Sequence, residues 1–363
     1  MHTKKVTVLV TGVGSPGGVT IVKALRQSSL AIRLISTDMN PLSAGFFLSD
    51  EAYIVPPASD PTYMDKLVSL CEDEKIDIAF IGSEPELRFL TNHLDVVENY
   101  TRTCFVISAP EIMTACMDKW QMTELLTRHG FLCPETTLAS DEHGVKALVN
   151  KFGFPLFLKP RRASGSKGTV LVRNQHELKF FQQYLEDAVV QEWLPEEKEE
   201  YTVGIYVDRK GRVVGSIVSK RELTAGLTYR AIFADYPEIS DYCEKVAGKL
   251  RPLGPCNFQL RRHKGCLSIF EINPRCSSTT IMRAVMGFNE PEMAIRDLIF
   301  QEELEQPQVK LGIVLRYWDE VYLNHTALEL PASGYGRLRR PTASIIQCPT
   351  IESQGKSSAK PLQ

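Results

Sequence analysis

No stretch of this 363-residue chain is apolar for long enough to cross a bilayer, which takes about 20 residues. Lys4-Lys5 ahead of residues 6–10 imitates the start of a signal peptide, but the apolar run is short and ends in a glycine-rich turn. Charge of one sign is lacking too. Lys and Arg number 42 against 44 Asp and Glu, so the net charge of −2 gives no electrostatic case for nucleic acid or an anionic membrane. The nine cysteines are odd in number, scattered and never spaced C-x-x-C. That argues against a disulfide framework or zinc site and for reduced thiols in a cytoplasmic protein. The Walker A spacing G-x-x-x-x-G-K-[ST] is absent, and no internal repeat occurs.

What is present is an alternation of strand and helix. The apolar run at 6–10, the turn Gly12-Val13-Gly14-Ser15-Pro16-Gly17-Gly18 and a helical pattern at 19–27 form one unit. Gly12, Gly14 and Gly17 satisfy G-x-G-x-x-G, and Asp38 follows the strand at 32–36. NAD(P) binding is one reading of this turn, a structural strand-to-helix turn the other. Strands at 51–55, 76–81 and 104–107, with a helix at 61–72, predict a parallel, doubly wound sheet over roughly the first 110 residues. Ser83 ahead of Glu86 predicts a helix cap, and Ser83 and Glu84 lie where ligands bind in such sheets.

The most informative stretch is Phe270-Glu271-Ile272-Asn273-Pro274-Arg275, at the end of an apolar strand. Strand alternation puts Glu271 and Asn273 on one face, and Pro274 ends the ladder. Hard oxygen donors suit Mg²⁺, and a nearby guanidinium suits phosphate. The strand at 256–260 precedes it across His263-Lys264-Gly265. A three-residue turn there pairs Arg262 with Cys266 and Gln259 with Ile269, placing Gln259, Glu271 and Asn273 on one face. A two-residue turn would turn Gln259 away.

Asn257-Phe258-Gln259 followed by Glu271-Ile272-Asn273-Pro274-Arg275 resembles the metal-binding hairpin of ATP-grasp enzymes, above all the synthetase domains of the carbamoyl-phosphate synthetase large chain. Other segments fit in the same order. They are the Asp118-Lys119 helix, Phe157-Leu158-Lys159-Pro160, the basic loop at 161–168, the hinge-like run at 189–194, and Glu200-Tyr201-Thr202-Val203. The resemblance spans roughly residues 5–320 and implies site roles. Gln259, Glu271 and Asn273 would hold two Mg²⁺ ions, with Mn²⁺ as substitute. Lys119, Lys159 and Arg275 would neutralise ATP phosphates. Ser164, Gly165, Ser166 and Gly168 would close over the triphosphate. Gln191, with Glu192 as register alternative, would meet adenine beside the backbone of Trp193 and Leu194. Glu200 would take the ribose hydroxyls, and Arg221 a substrate carboxylate or the transferring phosphoryl group. Ser277 to Thr280 open a helix carrying Arg283 and are expected to cap it.

The implied fold is α/β, with α+β character in its C-terminal part: an ATP-grasp fold behind a Rossmann-like pre-ATP-grasp domain. The divisions fall at 1–112, 113–190, 191–320 and a C-terminal extension at 321–363 whose tail is polar and expected to be disordered. The implied activity is an ATP-dependent carboxylate–amine, or carboxylate–thiol, ligase working through an acylphosphate and releasing ADP and phosphate. A carboxyphosphate- or carbamoyl-phosphate-type synthetase, a MgATP-binding regulator without turnover and an NAD(P)-dependent oxidoreductase are the alternatives. The expected partners are small-molecule carboxylate and amine substrates, and a homodimer is the assembly the family suggests.

Overall fold

Val6, Val8 and Val10 pack on one side of the first strand against Ile21, Val22 and Leu25, while Leu9 packs on the other side with Leu67, Leu70, Leu87 and Leu90. A strand buried on both faces is what a parallel sheet with helices on either side demands. The computed structural model describes residues 5–163, 167–195, 199–317, 320, 321, 323, 331 and 334–338. The first part of the chain runs β1 (Val6–Thr11), α1 (Pro16–Arg26), β2 (Ile32–Asp38), β3 (Glu51–Ile54), α2 (Tyr63–Asp73), β4 (Ile78–Ile81), α3 (Glu84–Glu98) and β5 (Cys104–Phe105). These strands are parallel in the order β3-β2-β1-β4-β5, the doubly wound sheet expected from the sequence.

Two helices, α4 (Pro110–Cys116) and α5 (Lys119–Arg128), lead into a four-stranded antiparallel sheet. Its elements are β6 (Thr136–Leu138), α6 (Glu142–Phe152), β7 (Leu156–Pro160), β8 (Val170–Val172), α7 (Gln175–Tyr184) and β9 (Ala188–Glu192), with strand order β6-β9-β7-β8. A six-stranded antiparallel sheet follows. It comprises β10 (Glu200–Val207), β11 (Val213–Thr224), β12 (Leu227–Phe233), α8 (Pro237–Leu250), β13 (Gly254–His263) and β14 (Cys266–Asn273). After α9 (Thr280–Val285) and α10 (Glu290–Ala294), β15 (Gly312–Leu315) completes it in the order β14-β13-β10-β11-β12-β15. Helices α5 and α8 cover the β10, β13 and β14 part of this sheet through Leu126, Val246 and Phe258.

Strands β6, β12 and β16 (Gly336–Arg337) escaped the sequence reading. β12 follows a tight turn at Ala225 and Gly226, both with positive φ, and Arg221 lies in the second half of β11, paired with Ala231 of β12. β16 returns to the first sheet and pairs antiparallel with β3, and Leu338 behind it is buried in that sheet's core.

Candidate active site

The β13–β14 turn has two residues, Lys264 and Gly265, both with positive φ as a tight hairpin turn requires, and His263 pairs with Cys266. The three-residue turn considered from the sequence is not formed. Without correction Gln259 would pair with Phe270 and face away from Glu271. A bulge at Phe270 restores the parity, so Gln259 lies directly opposite Glu271 and Asn257 opposite Asn273. Gln259, Glu271 and Asn273 therefore share a face. The Asn273 amide nitrogen donates to Glu271 Oε1 at 2.9 Å, and Arg275 donates to Asn273 Oδ1 at 3.3 Å.

A pocket lies between this hairpin, the start of α3 and the α4–α5 junction, walled by Glu84, Lys119, Met122, Glu271, Asn273 and Arg275. It opens where β4 gives way to α3, the carboxyl end of the parallel strands. Asp118 caps α5 by accepting from the Trp120 and Gln121 amides and is paired with Arg161 at 2.8 Å. The cap fixes the first turn that carries Lys119. The Lys119 ammonium donates to the Pro160 and Ala163 carbonyls at 3.0 and 2.6 Å, tying α5 to the start of the loop after β7. Burial lowers the pKa of Lys119 and the neighbouring Glu271 opposes the shift.

Lys159, at the end of β7, donates to Gln191 Oε1 at 2.6 Å, and the Gln191 amide nitrogen donates to Thr136 Oγ1 at 2.9 Å. Gln191 is buried and both ends of its amide are used. Burial, then the charge of Lys119, brings the Lys159 ammonium down to about 8. Glu192 accepts from the Glu135 amide at 3.2 Å; Trp193 is half-buried and Leu194 buried. Gly168, with φ of +70°, packs against the Pro160 ring. Ser164, Gly165 and Ser166 lie outside the described residues.

Glu200 is gripped from two sides. Arg221 donates to its Oε1 at 2.9 and 2.6 Å, and Arg261 donates to its Oε2. The two guanidinium groups outweigh desolvation and hold the Glu200 carboxyl below its usual pKa. Arg221 also donates to Gln259 Oε1 at 2.6 Å, and Arg261 to the Leu194 carbonyl at 2.7 Å. One chain of contacts thus runs from the hinge-like segment to the hairpin. The sequence reading missed Arg261, although it stands two residues after Gln259 and so shares its face. It also missed Arg316, which follows β15, donates to the Ser278 carbonyl and has its pKa lowered by burial.

Beneath the hairpin, Arg283 is fully buried, paired with Glu290 at 2.9 Å and bonded to Asn257 Oδ1 at 3.0 Å. Gly204 leaves room for it; a Cβ there would overlap the guanidinium. Ser277 and Thr279 were expected to cap α9, but their hydroxyls accept from Arg283 instead. Ser83 likewise makes no capping bond; its hydroxyl donates to the buried Glu86 at 2.5 Å.

The glycine-rich turn of the first sheet is filled by protein. The Gly14 amide donates to Asp38 Oδ2 at 2.6 Å, Ser15 caps α1 through the Gly18 amide, and a Cβ on Gly18 would overlap the Gly12 carbonyl. Glu86 sits beside the turn, accepting from Thr11, Ser83 and Tyr63. A dinucleotide pyrophosphate would meet carboxylates here where it needs free amides.

Residues 8–104 match the family described as "PylC-like, N-terminal domain", and residues 184–321 the family "ATP-grasp in the biosynthetic pathway with Ter operon". N5-carboxyaminoimidazole synthetase from Staphylococcus aureus, solved with ADP, superposes with a TM-score of 0.70 over 95% of this chain and 96% of its own, at 13% identity. The chain belongs to the ATP-grasp superfamily. The biotin carboxylase domain of Hydrogenobacter thermophilus 2-oxoglutarate carboxylase, solved with MgADP and bicarbonate, gives a TM-score of 0.68 over 85% of this chain and 73% of its own, at 17% identity. Among curated proteins, the carbamoyl phosphate synthase large chain of Methanosarcina acetivorans is 23% identical over 359 residues. That match covers 92% of this ATP-grasp chain but 32% of the relative, so the chain spans about a third of that protein's length. For the arginine-specific large chain of Bacillus subtilis the match is 22% identical and covers 76% of this chain and 27% of the relative.

Gln259, Glu271 and Asn273 supply amide and carboxylate oxygens on one face, a hard donor set that fits Mg²⁺. Among the described residues, no group of three or more His, Cys, Asp or Glu could hold a metal by itself. With a single carboxylate, this set fits the ion best when phosphate oxygens complete its coordination.

Proposed function

We propose that this protein is an ATP-dependent carboxylate–amine ligase. The observation that carries the reading is the convergence on one pocket of Lys119, Glu271, Asn273 and Arg275, with Gln259 directly opposite Glu271. Lys159 is electrostatically coupled to Lys119 and Glu271. Cations, metal-type oxygens and an opening toward the first sheet are what a phosphoryl transfer to a carboxylate, followed by nucleophilic attack, requires.

Gln259, Glu271 and Asn273 would hold the Mg²⁺ ions, two in number and replaceable by Mn²⁺, which supply charge neutralisation to the β- and γ-phosphates. A substrate carboxylate oxygen attacks the γ-phosphorus; the new O–P bond forms as the bond to the β-phosphate oxygen breaks and ADP leaves. Lys119, Lys159 and Arg275 take the charge that shifts onto phosphate oxygens. The amine nitrogen then attacks the acyl carbon, the C–N bond forms, inorganic phosphate departs and the amine loses one proton. Gln191 orients Lys159 through their hydrogen bond, while the backbone of Glu192 to Leu194 is the adenine address. Glu200 receives the ribose hydroxyls, and the loop through Ser164 to Gly168 excludes water.

A carboxyphosphate-forming synthetase is the second reading, supported by the likeness to carbamoyl phosphate synthase large chains. One assay separates the two, and both from a MgATP-binding regulator: Mg²⁺-dependent ADP release against paired panels of carboxylates, amines, thiols and bicarbonate. Release that needs a carboxylate and an amine supports the ligase. Release that follows bicarbonate alone supports the synthetase. Tight ADP binding with no release under any pair would leave the regulator.

A further inference from the structure

Gln259 can meet a metal only through Oε1, and that oxygen is held by Arg221 at 2.6 Å. Asn273 Oδ1 likewise accepts from Arg275 at 3.3 Å. A divalent cation on either oxygen would stand beside a guanidinium. The surroundings add to the opposition, because Lys119, Lys159, Arg221, Arg261 and Arg275 outnumber Glu84, Glu200 and Glu271 around these groups. Resting on the nucleotide reading above, we infer that Arg221 is a positioning residue that withholds Gln259 from the metal until a polyphosphate binds. The cation therefore enters with the nucleotide or after it.

The release is built into the same contacts. A neutral amide oxygen is a weaker acceptor for guanidinium than a multiply charged phosphate. Polyphosphate draws Arg221 and Arg275 off the amide oxygens and supplies the negative charge that the protein lacks. Arg221 can leave without stranding a buried carboxylate, since Arg261 keeps hold of Glu200 Oε2. Arg261 also stays fastened to the Leu194 carbonyl, so the hinge-like segment does not move with the switch.

The test is a titration of the full-length protein with Mn²⁺, read by loss of the free-ion electron paramagnetic resonance signal. Wild type alone is expected to bind Mn²⁺ at least about tenfold more weakly than wild type saturated with ADP, after subtracting the ion held by ADP in a protein-free control. Arg221→Met, without nucleotide, is expected to gain about tenfold over wild type, and Glu271→Ala added to it to remove the gain. A merely structural Arg221 would not produce tighter metal binding when lost. If Arg221→Met does not fold, Arg221→Lys, which cannot fork between Glu200 and Gln259, replaces it with the same expectation. Equal Mn²⁺ binding with and without ADP, or a folded variant with no gain, overturns the inference while leaving the nucleotide site standing. Failure of ADP to bind under any metal condition overturns the functional reading as well.

Discussion

Gln259 faces Glu271 directly across the β13–β14 hairpin although a two-residue turn should pair it with Phe270. The bulge at Phe270 makes the metal-type face, and everything proposed for the site depends on it. Glu271 is the sole carboxylate of that donor set. Glu271→Ala is expected to lower Mg²⁺-dependent ADP release by about 10²-fold or more. The loss of one hydrogen bond to Asn273 should cost about 1 kcal/mol of stability. Steady-state kinetics beside a urea melt checks both; retained turnover would remove Glu271 from the site.

Lys159 gives the site a pH dependence. Its ammonium titrates near about 8 because it is buried beside Lys119, and phosphate takes only the charged form. Below that pH Lys159 is ready; above it, binding must also take up a proton. Metal-free ADP affinity is expected to stay level to about pH 7.5 and then fall toward tenfold per pH unit. Lys159→Arg should flatten the profile. The same lowered pKa acts on folding in the opposite sense. The unfolded chain holds more protons between about 8 and 10.4, so this group makes stability rise with pH across that window. Calorimetric titration at several pH values tests the binding arm, and a flat wild-type profile would contradict it.

Arg283 and Glu290 form a buried ion pair directly beneath Asn257, the cross-strand neighbour of Asn273. Removing one partner leaves an uncompensated charge. Glu290→Ala is expected to cost about 3–5 kcal/mol by urea unfolding. The double change Arg283→Met with Glu290→Leu should recover most of that, because it removes both charges and keeps apolar volume. If the single and double variants unfold alike, the pair is not what holds this floor together.

The sheet-forming parts of the chain were legible where side-chain periodicity is strong. Val6, Val8 and Val10 against Leu9 announce a strand buried on both faces, and E-I-N-P-R announces a strand end with its chemistry. The bulge at Phe270 was not legible, because a period of two carries no mark of where an extra residue is absorbed. Nor was the role of Ser277, Thr279 and Ser83. Hydroxyls at a helix start favour capping, but side chains three to six residues further on, Glu86 for Ser83 and Arg283 for Ser277 and Thr279, compete for them. Gly12, Gly14 and Gly17 match a dinucleotide fingerprint, yet the Gly14 amide is taken by Asp38. A glycine pattern states that backbone comes close to something, not what that something is.

Leu338 shows the same limit at the other end of the chain. In sequence it belongs to the C-terminal extension at 321–363, between Arg337 and Arg339. In the structure its amide donates to the Ala52 carbonyl at 2.8 Å, and its side chain, 3% exposed, joins the core of the first sheet behind β16. A single apolar residue inside polar sequence has no periodicity to betray burial; only the edge of β3 selects it. Leu338→Ala should therefore behave as a core truncation, costing about 2–5 kcal/mol. Leu311→Ala, at a leucine that is 63% exposed, should stay within about 0.5 kcal/mol of wild type. Urea melts of the two variants decide the matter. Equal, small effects would mean that the returning strand contributes nothing to the fold, whereas a large loss confined to Leu338→Ala would make the C-terminal return part of the first sheet's stability.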